Sequence, residues 1–262
     1  MTQVDRIYKR AFRRHFTNHQ GNFPPSQLLK LGDFGIFKNG YFIRQGNIGD
    51  APYKIKFKIL KDDSPTNEEF QSQGQVSTKN MAKGDIGLNG VPVVKPTFEI
   101  KFNSEKAVFF SSANVLYNQI DNVQEVGKQI LDHYNAGNWE KRFVVITRII
   151  EGENVIIVIS GDSDCTTSLV ADANIPKIDL FDASIKLDFS ISEKVSYKII
   201  SKGLCQIGFG ISRVYNPLFN KPTYKSTIQN ESLFTALDEN KLIDINNITF
   251  GDVMPGNYDF EE

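Results

Sequence analysis

The stretch ASIKLDFSIS, residues 183–192, alternates apolar and polar side chains without interruption. Because a β-strand sends successive side chains to opposite faces, the pattern predicts a strand with one apolar and one polar face. The alternation resumes after a short SEK break, so residues 183–200 are predicted to form an amphipathic hairpin. Its apolar face comprises Ala183, Ile185, Leu187, Phe189, Ile191, Val195, Tyr197 and Ile199.

Two uses of this apolar face remain open. It can cover the core of an ordinary half-buried antiparallel sheet. It can also insert into a lipid bilayer. A membrane-spanning strand needs about 9–11 residues, and the first arm of the predicted hairpin reaches that length. Alternation alone does not distinguish the two.

The N-terminal segment favours the membrane interpretation. Apolar residues at helical spacing predict a helix from about Thr2 to Phe16. The remaining arc carries Arg6, Lys9, Arg10, Arg13 and Arg14. Such a basic helix suits anionic lipid, at about 1 kcal/mol per basic residue near the surface. The alternative is an ordinary surface helix that packs its apolar face on a sheet.

Bulk composition narrows the class of protein. The chain has 262 residues and a formal net charge of −1, which argues against a general nucleic-acid binder. The two cysteines, Cys165 and Cys205, are compatible with reduced thiols in a cytoplasm. The sequence has neither a signal-peptide pattern nor a run of 18 apolar residues that would predict a transmembrane helix.

The remaining patterns predict an α+β fold around a twisted, mixed or largely antiparallel sheet, flanked by a few helices. Asn39-Gly40 between two apolar runs predicts a tight hairpin. YKIKFKIL (53–60), TFEIKF (97–102) and KAVFF (106–110) read as strands, whereas 61–97 is polar and weakly periodic. Residues 112–134 are predicted to be the longest helix, with Asn114 as N-cap and Gly137 as C-cap. RFVVITRIIEGENVIIVISGD predicts two strands about a turn at Gly152, and SLFTALDENKLI (232–243) a short helix.

Motifs for catalysis are missing from the sequence. It contains no GxSxG, GxxxxGK[ST], HExxH or strand-linked GxGxxG motif. His15 and His19 have metal-ligand spacing but no third ligand nearby, and the aspartates beside Cys165 would disfavour a reactive thiolate. We therefore expect a protein that is not an enzyme, with no catalytic residue, metal or cofactor. The alternative hypothesis, a hydrolase, would require two carboxylates from distant strands to converge in a deep pocket.

Three stretches resemble the gasdermin pore-forming domain. They are VDRIYKRAFRRHF followed by GNFPP (4–25), GNWEKRFVVITRIIEGENVIIVIS (137–160), and IKLDFSISEKVSYKII with KGL after it (185–204). The order of these elements is similar to that domain's basic first helix, its later helix with paired strands, and its second insertion hairpin. The chain departs from bacterial relatives, which often carry a cysteine near the N-terminus, because none occurs before Cys165.

The resemblance implies a mechanism. Residues 1–242 would be a pore-forming domain, soluble and cytoplasmic at rest, and the acidic segment 243–262 an inhibitory tail removed by a protease. The five basic residues of the first helix would contact anionic lipid. Residues 67–102 and 183–200 would be the inserting hairpins of a membrane-bound homo-oligomer. The alternative is a non-enzymatic assembly module, such as a virion or secretion-system component.

Overall fold

The computed structural model of the chain describes residues 3–38, 40–72, 74–82, 84–86, 90, 93, 95–171, 175–182, 184–215 and 222–226, apart from the side chains of 191–193 and 226. The helices are α1 (Gln3–His15) and α2 (Val123–Asn135). The strands are β1 (Gln20–Gly21), β2 (Asp33–Lys38), β3 (Tyr41–Asn47), β4 (Ile59–Leu60), β5 (Thr66–Gln71), β6 (Val76–Met81), β7 (Thr97–Phe102), β8 (Val108–Ile120), β9 (Val144–Ser160), β10 (Cys165–Ala171), β11 (Leu187–Glu193), β12 (Val195–Ser201), β13 (Cys205–Tyr215) and β14 (Thr223–Ser226).

Two sheets account for these strands. A ten-stranded main sheet centres on β9, which pairs with β2, β8, β12 and β13. A four-stranded upper sheet has the order β11-β10-β7-β6. Every pairing between strands of the described residues is antiparallel. The predicted α+β class with a largely antiparallel sheet is therefore confirmed.

The two sheets are continuous with each other through four composite strands, each of which contributes one segment to either sheet. The composite strands are β5–β6, β7–β8, β9–β10 and β11–β12, and they lie side by side in that order. All four are interrupted at the same level, where Phe102 pairs with both Val76 and Cys165 just above the break. Two long antiparallel hairpins result, residues 66–120 and residues 144–201.

Three apolar clusters hold the sheets. The first joins α2 to the lower main sheet around Trp139 and Ile146. The second lies between α1 and one face of the main sheet. The third lies on the opposite face and includes both sheets, with Phe109 from β8 and Ile100 from β7. In β9, alternate residues of 155–159 enter the second and third clusters, so this segment is buried on both faces.

Several predicted elements are confirmed. The helix predicted from Thr2 to Phe16 is α1. The Asn39-Gly40 hairpin is present, since Lys38 pairs with Tyr41 and Gly40 has a φ of 75°. The polar region 61–97 contains β5 and β6. The predicted helix 232–243 lies outside the described residues.

Other predicted elements are wrong. Residues 112–120 belong to β8, and the helix begins only at Val123. Leu116 and Ile120 fit helical spacing, but long-range pairing of β8 with β9 overrides that local signal. Gly152 is not a turn, because β9 runs through it unbroken. In YKIKFKIL only Ile59–Leu60 is a strand, although Tyr53, Ile55 and Phe57 are still less exposed than the lysines between them.

The predicted hairpin of residues 183–200 is also wrong. The strand begins at Leu187, and β11 and β12 are consecutive segments of one composite strand rather than two arms that pair. Their partners are β10 and β9 respectively. The SEK break is a local interruption at Lys194, which has a φ of 57°. The hairpin partner of this ribbon is thus residues 144–171.

Candidate functional site

Helix α1 lies on the main sheet through an aromatic cluster. Tyr8 and Phe12 are fully buried and Phe16 is nearly so. Phe12 stacks on Phe16 with ring centroids 4.4 Å apart and meets Phe110 of β8 edge-on at 6.3 Å. Phe70 of β5 stacks on Phe110 at 4.7 Å. The apolar face of α1 therefore covers the first and second composite strands.

Two glycines allow this close approach. A Cβ on Gly208 of β13 would lie 2.4 Å from Cζ of Phe12, and a Cβ on Gly21 would lie 2.9 Å from Cε1 of Tyr8. Gly208 and Gly210 form a GxG pattern within β13. In the structure, Gly208 provides the space that the Phe12 ring occupies.

Polar contacts from Asp5 and Lys9 fix α1 to the β2–β3 hairpin. The Lys9 ammonium donates a hydrogen bond to the Gly40 carbonyl oxygen at 3.0 Å and lies 5.0 Å from the centroid of the Tyr41 ring. Burial lowers the pKa of Lys9, and the charge of Asp5 partly offsets this. The Tyr41 hydroxyl also donates to the buried Asp5 carboxylate. Lys9 is thus engaged within the protein.

The end of α1 is fixed to β5. His15 Nε2 lies 3.0 Å from Oε2 of Glu68, and the His15 ring lies 5.0 Å from that of Phe70. His19, which has metal-ligand spacing from His15 in the sequence, bonds through Nδ1 to the Thr17 carbonyl oxygen at 2.9 Å. Within the described ranges, no group of three or more His, Cys, Asp or Glu side chains is placed to hold a metal.

The predicted lipid-contacting residues differ in exposure. Arg6, Arg10 and Arg14 are exposed to solvent, whereas Lys9 and Arg13 are half-buried. The first three therefore form a basic face opposite the aromatic cluster. Their role in lipid contact stays a prediction.

The upper sheet has two chemically different faces. Its inner face carries large apolar side chains that enter the third cluster: Phe98, Ile100, Phe102, Leu169, Leu187 and Phe189. The opposite face carries polar residues, among them Lys79, Glu99, Lys101, Asp188 and Ser190. Lys79 and Glu99 are direct partners across β6 and β7. Alternation along each strand thus gives the sheet one apolar and one polar side.

A cover segment, residues 175–182 and 184–186, lies over the apolar side. Ile178 and Leu180 are almost fully buried in the third cluster. The Asn80 side-chain amide of β6 bonds to both backbone groups of Ile178: Nδ2 donates to the carbonyl oxygen at 2.5 Å, and Oδ1 accepts from the backbone N–H at 3.1 Å. Asn154 Nδ2 of β9 donates to the Leu180 carbonyl oxygen at 2.9 Å. The cover segment is thus attached to both sheets.

The residues predicted to insert do not share one continuous face. Leu187, Phe189 and Val195 pack in the third cluster, whereas Tyr197 and Ile199 pack in the second, beneath α1. A β-bulge between Val195 and Tyr197 adds one residue, and this reverses the direction of every side chain beyond it. Of the other predicted residues, Ile185 is buried in the cover segment, Ala183 lies outside the described residues, and no side chain is described for Ile191.

The third composite strand, β9–β10, was not predicted from the sequence to belong to the region where the two sheets meet. The run VIIVIS was assigned to a strand, but its β-branched residues carry no alternation because both faces are buried. Cys165, at the start of β10, is buried, and burial raises the pKa of its thiol. None of the helices in the described part of the chain is long and apolar enough to cross a bilayer.

Among solved structures, the chain is similar to a bacterial gasdermin from Bradyrhizobium tropiciagri, with a TM-score of 0.37 and 13% identity over 83% of this chain and 90% of that one. It is also similar to the gasdermin A3 membrane pore, with a TM-score of 0.33 and 13% identity over 88% of this chain and 97% of that one. No protein-family model and no curated protein matches the chain. Both similarities are weak, and both structures belong to the family that the sequence resembles.

Proposed function

We propose that the protein forms pores in anionic membranes by docking through α1 and inserting its two long hairpins. The observation that carries this proposal is the four-stranded upper sheet, whose apolar side lies under a separate cover segment. A sheet with one apolar and one polar side can place the first against lipid and the second against water. Pairing of the outer composite strands between copies would satisfy their open backbone groups.

Docking is assigned to the exposed face of α1. Arg6, Arg10 and Arg14 together supply about 3 kcal/mol near an anionic surface. Lys9 is bonded to Gly40 in the resting protein and would contribute only after α1 leaves the sheet. In this proposal the soluble form is cytoplasmic, and removal of the acidic segment 243–262 by a protease releases it. That segment lies outside the described residues.

Release of a trapped dye from vesicles tests the proposal. A chain ending at residue 242 should release dye from vesicles that contain phosphatidylglycerol and should leave phosphatidylcholine vesicles intact. Replacing Arg6, Arg10 and Arg14 by Glu should weaken binding to anionic vesicles by more than about a hundredfold, because about 3 kcal/mol of attraction becomes repulsion. Lys56, Lys58 and Lys61, changed together to Glu, provide a control with the same change of charge elsewhere. If neither truncation nor proteolysis ever causes release, the proposal is wrong.

A static assembly module is the second candidate. It is favoured by the burial of residues 155–159 on both faces, which is typical of a permanent central strand. This candidate predicts ordered oligomers in buffer without lipid, and strands that remain protected from hydrogen exchange when vesicles are added. Analytical ultracentrifugation with and without anionic vesicles separates the two candidates.

A further inference from the structure

The breaks in the four composite strands share a backbone feature. Each break contains a residue in the left-handed region: Gly74 (φ 68°), Lys106 (φ 65°), Asp164 (φ 54°) and Lys194 (φ 57°). These residues form a transverse row across four neighbouring strands, which we call the hinge row. Regular strand backbone has a negative φ, and these four residues fall where the strands are interrupted. Asn114 and Asn154 also have a positive φ, but they lie at register shifts inside β8 and β9, which continue past them. For the two lysines this conformation is also unfavourable, because a side chain beyond glycine crowds the backbone there.

The strand segments above the hinge row are shorter than a strand that crosses a bilayer. The upper segments β6, β7, β10 and β11 contain 6, 6, 7 and 7 residues. A strand that crosses a bilayer needs about 9–11 residues. The upper segments alone are therefore too short, whereas each composite strand is long enough once its upper and lower segments join. Crossing a bilayer thus requires the backbone of the hinge row to become extended.

Contacts at the hinge row hold the interrupted form of the composite strands together. Ser160 Oγ donates to the Ser104 carbonyl oxygen at 2.7 Å and accepts from the Ala107 backbone N–H at 2.9 Å. The Gly161 N–H donates to the Lys194 carbonyl oxygen at 2.8 Å. These bonds connect the second, third and fourth composite strands at one level. Strained backbone that is held by its surroundings is a feature of switch regions.

We infer that the hinge row is a conformational switch, whose change from left-handed to extended backbone joins the two sheets and sets the rate of insertion. The inference rests on the proposed function. It assigns opposite effects to two substitutions at one position. Replacing Lys194 by Gly removes the cost of the left-handed backbone and favours the interrupted form. Valine at Lys194 increases that cost and favours the extended form, because β-branched side chains prefer strands.

Dye release by the full chain, after brief digestion with a nonspecific protease, tests the inference. Relative to the parent chain, Lys194→Val should accelerate release from phosphatidylglycerol vesicles about fivefold, and Lys194→Gly should slow it about fivefold. Both variants lose the same charge, so loss of the ion pair with Asp162 (3.4 Å) cannot produce opposite signs. Lys106→Val and Lys106→Gly form a second pair, in case a Lys194 variant fails to fold.

Lys54 supplies the matched control. It is also an exposed lysine with a left-handed backbone (φ 52°), but it lies outside the composite strands. Lys54→Val and Lys54→Gly should therefore change thermal stability without separating the release rates. The inference is overturned if the hinge-row pairs move together, or if the Lys54 pair diverges as much as they do. If the parent chain releases no dye, the proposed function fails and the inference with it.

Discussion

Replacing Gly208 by Ala is expected to displace α1 while leaving the strands beneath it paired. The new Cβ would lie 2.4 Å from Cζ and 2.6 Å from Cε1 of Phe12, and 3.0 Å from the Gln20 carbonyl oxygen. The Phe12 ring cannot turn aside freely, because it stacks on Phe16 and meets Phe110 edge-on. Backbone on one side and packed rings on the other leave movement of the helix as the simplest relief.

Overpacking of a close-packed site costs about 1–3 kcal/mol. If that cost falls on the packing of α1 against the sheet, the population of protein with the helix released from the sheet rises about 5- to 150-fold. Hydrogen exchange of the α1 amides should accelerate by the same factor, while the amides of β8 and β9 remain protected. Binding of the variant to anionic vesicles should increase in parallel, because Lys9 and the apolar face of α1 become available.

Gly203→Ala is the matched control, since a Cβ at Gly203 meets no atom within 4 Å. The control should exchange and bind vesicles like the parent chain. The reasoning would be refuted if Gly208→Ala left exchange in α1 unchanged, or if β8 and β9 lost protection together with the helix. The second result would mean that α1 and the sheet open as one unit.

Three further predictions concern other parts of the chain. Burial and the charge of Arg148 lower the pKa of His19 from its ordinary 6.5 to about 4, so the unfolded chain takes up this proton first. Stability should therefore fall as the pH drops from about 6.5 towards about 4, and melting curves of His19→Gln should show a shallower decline over that window. Asn154 has a φ of 50° and is buried, so Asn154→Gly keeps the backbone favourable and removes the hydrogen bond to Leu180 together with the packing of the side chain. We expect a cost of about 1 kcal/mol and faster proteolysis of the cover segment, and an unchanged digestion rate would contradict this attachment. Trp139 is the single tryptophan and is buried in the cluster around α2, which contains no residue of the upper sheet, so its emission maximum should not shift when vesicles are added. A red shift would indicate that the cluster around α2 also opens.

Local signals in the sequence were sufficient for the elements that depend on neighbouring residues. The limits of α1 follow from helical spacing, and the β2–β3 turn follows from Asn39-Gly40, because both are decided within a few residues. Gly137 lies just past the end of α2 with a φ of 76°, close to its predicted place as a cap. The basic face of α1 is likewise readable as a pattern.

The elements that were predicted wrongly from the sequence are those determined by long-range strand pairing. Residues 112–120 have apolar residues at helical spacing, yet β9 is available as a partner and they form a strand. Gly152 looked like a turn, but β9 passes it against Ser112, whose Oγ would lie 2.2 Å from a Cβ at that position. The partner of residues 187–201 was also misassigned, because alternation identifies a strand without identifying its neighbour.

The position of α1 determines when this protein can finish folding. The Tyr8 hydroxyl donates to the Ile207 carbonyl oxygen at 3.3 Å, across 199 residues of sequence. During translation α1 leaves the ribosome well before residues 207 and 208, so the surface on which it packs is complete only after Gly208 has been made. Until then the apolar face of α1 lacks its native partner. An exposed apolar face makes the nascent chain prone to aggregation and is a binding site for chaperones.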